Sequence, residues 1–172
     1  MENRYLFFID AETDGLYGSF LTVAIIVTDR RCNEIERRYW GISEDSMVIT
    51  DPWVKENVIG KFGDYEVCED EYDLLEKVWT VWKKYRDKAY VVTDVMHPVE
   101  SRLFTECARN DLENRKFEGP FPILDLSSIL YAKGYNPIAD YSDILEEYDK
   151  NIQHNAMDDV ETIIKVYRKV ML

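Results

Sequence analysis

Basic residues are scarce in this 172-residue chain: 21 lysines and arginines stand against 34 aspartates and glutamates, for a formal net charge of −13. So acidic a surface excludes a protein that coats long duplexes by neutralising phosphates. It leaves room for an enzyme that meets nucleic acid locally, through divalent cations and a basic rim. Cysteine is equally sparse. Cys32, Cys68 and Cys107 are far apart and form no CxxC pair, which excludes a zinc knuckle and a disulfide framework. Reduced thiols are the expectation, and with them a cytoplasmic setting. No stretch approaches the roughly 20 apolar residues that span a bilayer, so no membrane partner is expected. Met1-Glu2-Asn3-Arg4 lacks the layout of a signal peptide. Histidine occurs only as His97 and His154. No repeat, low-complexity tract or linker is visible.

What is present is a chain 46% hydrophobic and 13% aromatic, enough for one domain over residues 1–172 with a real core. Arg4–Asp10, Phe20–Thr28 and Glu34–Ile42 read as three sequential strands joined by short turns, an antiparallel meander. A short helix follows from Asp51-Pro52 to about Ile59. Leu74, Leu75, Val78, Trp79, Trp82 and Tyr85 mark a stronger one over Asp70–Tyr85. Ala89–Thr93 is a fourth strand, and Pro98 opens a helix to about Asn110. Phe121–Leu124 is a fifth strand, and short helices are expected near Ser127–Ala132 and Tyr141–Tyr148. Asn155–Met171 closes the chain as an amphipathic helix. The expectation is an α/β fold with a mixed five-stranded sheet, its first three strands antiparallel, and helices packed on it.

Three acidic clusters carry the candidate chemistry. In "LFFIDAETDGLYGSF" an apolar strand runs into Asp10, Glu12 and Asp14. Strand side chains alternate, so Asp10 and Glu12 share a face. Two carboxylates there make a hard-oxygen site of the kind Mg²⁺ or Mn²⁺ prefers, or simply a solvated strand end. In "YVVTDVMHPVESRLF", Asp94 follows the fourth strand and Glu100 falls in the first turn of the next helix; a turn residue and a charge favoured by the helix dipole are the plain readings. In "QHNAMDDVETI", His154 precedes the last helix, with Asp158 and Asp159 in its first turns. Spacing does not choose between those two aspartates.

In this order, the clusters resemble the DEDD superfamily of 3′–5′ exonucleases, in its histidine (DEDDh) branch. That branch holds proofreading exonucleases, oligoribonucleases and tRNA-trimming ribonucleases. The motif D-x-E-[TS]-x-G matches Asp10-Ala11-Glu12-Thr13-Asp14-Gly15. The motif H-x-A-x-x-D matches His154-Asn155-Ala156-Met157-Asp158-Asp159, which selects Asp159. The middle motif departs from H-N-x-x-F-D: the stretch is Met96-His97-Pro98-Val99-Glu100, with Glu100 on the aspartate position and Asp94 as its rival.

The resemblance implies an RNase H-like fold and two divalent cations, Mg²⁺ or Mn²⁺, held by Asp10, Glu12, Asp159 and Glu100 (or Asp94), with His154 as general base. It implies release of nucleoside 5′-monophosphates from short single-stranded 3′ ends. Thr13, Gly15, Leu16 and Asn155 would touch the substrate, and Tyr17 or Phe20 would offer a stacking platform. RNA is favoured over DNA because the chain reads as a stand-alone domain without a polymerase-binding tail. Relatives are often homodimers, with Trp40, Trp53 and Trp79 as candidate interface residues. The altered middle motif keeps open a second reading, a catalytically impaired nucleic-acid-binding or assembly module. Arg30-Arg31, Arg37-Arg38 and the group of Lys83, Lys84, Arg86 and Lys88 are candidates for a phosphate-guiding rim, or plain solvated faces.

Overall fold

A computed structural model of the chain describes residues 4–138, 140–149 and 153–172. Its strands are β1 (Tyr5–Thr13), β2 (Phe20–Thr28), β3 (Glu34–Ile42), β4 (Glu66–Cys68), β5 (Ala89–Thr93) and β6 (Ile123–Asp125). Its helices are α1 (Pro52–Asn57), α2 (Glu71–Tyr85), α3 (Val99–Arg109), α4 (Leu112–Arg115), α5 (Leu126–Ala132) and α6 (Ala156–Met171). Alternation along β1 sets the architecture. Phe7, Ile9 and Ala11 enter one apolar cluster with α2 and α3, while Leu6 and Phe8 enter another with α5 and α6. The sheet is therefore covered on both faces, and β2 is buried along its whole length.

The strands lie in the order β4-β3-β2-β1-β5-β6. β1, β2 and β3 are antiparallel; β4 runs parallel to β3, and β5 and β6 continue parallel to β1. The mixed sheet with helices on both faces is as expected, but it has six strands. The extra one, β4, is a three-residue edge segment, too short to leave a periodic signal. β1 also outruns its expected end at Asp10, because pairing with β2 continues to Thr13↔Phe20. Pairing with β5 stops at Phe8↔Val92. The two parallel strands thus part after Phe8, and the carboxyl end of β1 lines a gap. Crevices of this kind outside the carboxyl ends of parallel strands are where open α/β sheets bind ligands.

Other differences are local. The helix expected over Tyr141–Tyr148 is one 3₁₀ turn, Tyr141–Asp143. β6 begins two residues later than expected, leaving Phe121 exposed. Trp40 and Trp79 are buried in the first cluster and line no surface; Trp53 is exposed. Phe20 is also fully buried, under the Arg102 guanidinium at 4.1 Å, so it is no stacking platform. Among the described residues no helix is long and apolar enough to cross a membrane.

Phe7 joins sheet to helices, with Trp82 at 5.7 Å and Tyr85 and Phe104 beside it. Phe7→Ala is expected to cost about 3–5 kcal/mol, read as a lower urea midpoint with an unchanged slope.

Candidate active site

Asp10 and Glu12 project from β1 on the same face as Phe8, as the period of two requires. There the apolar cluster gives way to a cleft of about 270 Å³, lined by Asp10, Glu12, Asp94, Tyr141, His154 and Asp159 among others. α6 delivers the third acid. Asn155 caps this helix, its side chain accepting from the Met157 and Asp158 amides at 3.0 and 3.3 Å, a strong N-terminal signal. Asp159 then turns inward and accepts from the His154 amide at 2.9 Å. Asp158 points elsewhere, its nearest charges being Glu161 and Lys165. Carboxylate oxygens of Asp10, Glu12 and Asp159 come within 4.8 Å of one another.

The two rivals of the middle cluster both lie close by. Asp94, just past β5, accepts a hydrogen bond from the Tyr141 hydroxyl, and its carbonyl anchors the Ser127 amide of α5 at 3.1 Å. Glu100, in the first turn of α3, is 6% exposed, and the backbone amides of Glu100 and Ala11 partly offset the burial of its carboxylate. Ala11 offers its amide where β1 has parted from β5. Glu100 bears on Asp10 more strongly than Asp94 does.

The turn after β1 is stapled rather than loose. The Thr13 hydroxyl donates to the Gly15 carbonyl at 2.6 Å. Asp14 accepts from the Thr50 amide and hydroxyl and from the Asp51 amide, at 2.7–2.9 Å, which makes it a turn residue. Gly15 has φ +71°, and a Cβ there would meet Asp51 Oδ2 at 2.9 Å, so glycine is required twice over. Leu16 and Tyr17 stand exposed at the tip. Asn155, expected to touch substrate, uses its side-chain amide to donate to the Lys61 carbonyl at 2.9 Å.

No protein-family model matches the chain, and comparison with curated proteins likewise gives no match. Solved structures do match. An exonuclease I structure described for how processivity is achieved superposes with TM-score 0.71 over 97% of this chain at 16% identity. The zinc-bound E. coli exonuclease I complex with single-stranded DNA gives 0.64 over 98% at 14% identity. Exonuclease I from the moderately thermophilic Methylocaldum szegediense gives 0.64 over 97% at 18%. The chain has an exonuclease-type, RNase H-like fold. It spans about 40% of the length of these structures.

Within that exonuclease-type fold the carboxylates are electrostatically frustrated. Burial and the neighbouring acids Asp159, Glu100, Glu12 and Asp94 push Asp10 well above the usual carboxylate range. Burial and Asp159 push Glu12 up to about 8. Burial, opposed by the His154 amide, takes Asp159 to about 7. Burial, with Asp94 and Glu12 adding to it, takes Glu100 to about 8. Oxygens this close, with charges this disfavoured, fit a hard divalent cation, whose field reverses the repulsion. His154 is pushed the other way, below its ordinary value, by burial and then by Lys61. Its ring meets the Trp53 indole edge to face at 5.0 Å.

Trp53, Lys61, Tyr141, Tyr148 and Gln153 are site neighbours that sequence reasoning missed. Gln153 adjoins His154 in sequence, the one available signal. The rest sit in irregular or weakly periodic segments.

Folded carboxylates with raised pKa values hold protons more tightly than the unfolded chain does. Their contribution to stability is full below the ordinary value of 4.5 for Glu12 and is lost as pH rises through about 8. Metal-free protein is therefore expected to lose Tm between about pH 5 and 8. Mn²⁺ at about a hundred times its Kd should restore about 2.7 kcal/mol, several degrees of Tm. Asp10→Asn should raise the metal-free Tm at the upper pH and abolish the Mn²⁺ response, both read by calorimetry.

Proposed function

We propose that the chain is a metal-dependent 3′–5′ exonuclease that releases nucleoside 5′-monophosphates from single-stranded 3′ ends. The observation that carries this reading is the meeting of Asp10 and Glu12, near one end of the chain, with Asp159, near the other, at a cleft that also holds His154. Likeness of fold to exonuclease I, including complexes with single-stranded DNA, supports it.

Asp10, Glu12 and Asp159 would hold the cations, with Glu100, which stands on the aspartate position of the middle motif, as the fourth carboxylate. Mg²⁺ or Mn²⁺ bound there lowers the pKa of water and offsets the charge that builds on the phosphate. His154 is neutral at physiological pH because its pKa is lowered, so an imidazole nitrogen is free to take the proton of the attacking water. Water adds to phosphorus as the bond to the 3′-oxygen breaks. Trp53 limits the swing of the His154 ring. Leu16, 60% exposed at the stapled turn, would separate the last base from its neighbour.

The chain's own features favour short strands with few phosphate contacts, and the assay takes both RNA and DNA. A 5′-labelled single strand with Mn²⁺ should shorten stepwise and release 5′-monophosphates. His154→Ala should lower kcat by about 10²–10⁴-fold, and Asp10→Ala should abolish shortening. Glu100→Gln should weaken Mn²⁺ binding more than Asp94→Asn, by calorimetry. An oligomer that is bound but left intact by the wild-type protein would overturn the enzyme in favour of a binding module.

A further inference from the structure

A strand entering this cleft brings negative charge toward Asp10, Glu12, Asp94, Glu100 and Asp159, in a chain of net charge −13. The basic groups that the sequence offers as a rim are largely matched elsewhere. Arg37 pairs with Glu34 and Glu161, Arg38 and Lys84 with Glu36, and Arg86 with Glu118.

Lys61 differs. It makes no ion pair among the described residues, yet its backbone is held from both sides. Phe62 beside it is buried with Leu21, Val54 and Val58, and the Lys61 carbonyl accepts from the Asn155 side chain at 2.9 Å. Its Nζ reaches the Gln153 carbonyl, next to His154, at 3.5 Å. That is the outer limit of a hydrogen bond, and an ammonium has three donors. Gln153 lines the cleft, so this contact sets the ammonium at the cleft's edge, where its charge lowers the pKa of Glu12, Asp159 and His154. Asn155 both starts α6 and holds the Lys61 backbone, which keeps the ammonium in register with His154 and Asp159.

We propose that Lys61 is a substrate-binding residue whose ammonium takes a phosphate oxygen of the single strand lying in the cleft, giving up its weak bond to Gln153. The inference rests on the exonuclease reading and adds to it the group that admits the anion.

The test compares wild-type protein, Lys61→Met and Lys61→Arg. Binding of a short fluorescein-labelled oligothymidylate is measured with Ca²⁺ across a salt series, and Mn²⁺ binding without oligomer by calorimetry. Lys61→Met should weaken oligomer binding about tenfold and flatten the slope of log K against log salt by about 0.7, one phosphate contact. Lys61→Arg should recover most of both, and Mn²⁺ affinity should not fall in either variant. Unchanged oligomer affinity and slope in Lys61→Met, with tighter Mn²⁺ binding, would show that the lysine merely neutralises the carboxylates and would overturn the inference alone. Wild-type protein that neither binds nor shortens any oligomer would overturn the exonuclease reading and this inference with it.

Discussion

Burial of carboxylates gathered at the end of β1, with the mutual repulsion that adds to it, is the constraint around which the molecule is arranged. Each unit of upward pKa shift records about 1.4 kcal/mol of disfavoured charge, and Glu12, Glu100 and Asp159 all lie well above their ordinary values. Such a cluster persists because the surrounding structure over-determines it. β2 is buried at every position, and both faces of the sheet carry continuous apolar clusters. A divalent cation would turn the same geometry from a cost into a binding site.

Separate devices bring the acids together. The strand period puts Asp10 and Glu12 on the α6 side of the sheet. The parting of β1 from β5 after Phe8 leaves the Ala11 amide on the side of Glu100, whose buried charge it helps to offset at the start of α3. The Asn155 cap begins α6 so that its first turn carries Asp159 to the same place, with the His154 amide bonded to it. Each device is ordinary local chemistry. Their coincidence at one crevice is a property of the sheet order.

The segment from Asp14 through α1 to Gly63 packs against the start of α6 beside the cleft. Asp14 ties the first turn to Thr50 and Asp51, and Asp51 in turn caps α1 by accepting from the Trp53 amide at 2.8 Å. Trp53 then reaches His154 and Lys61 reaches Gln153. Partial burial, and then the Lys61 charge, hold the pKa of His154 below its ordinary value.

Much of this was legible beforehand. β2, β3 and β5 stand in the structure at the expected residues: β2 and β5 are buried and announce themselves by apolar composition, while β3, of mixed polarity and largely exposed, is bounded by its turns. The face shared by Asp10 and Glu12 follows from alternation, whereas the cap of α6 is Asn155, expected from the sequence as a substrate contact. Spacing could not choose Asp159 over Asp158; the docking of α6 on the sheet decided that. Nor could it bring Asp94 and Glu100 both beside Asp10, or bring Trp53 and Lys61 to His154 and its neighbour Gln153, roughly a hundred residues away in sequence. Local sequence determined which residues are acidic, apolar or capping, since those depend on neighbours within a turn or a strand. Tertiary structure alone decided which charges meet, because that distance is set by where β1 and β5 separate and where α6 comes to rest.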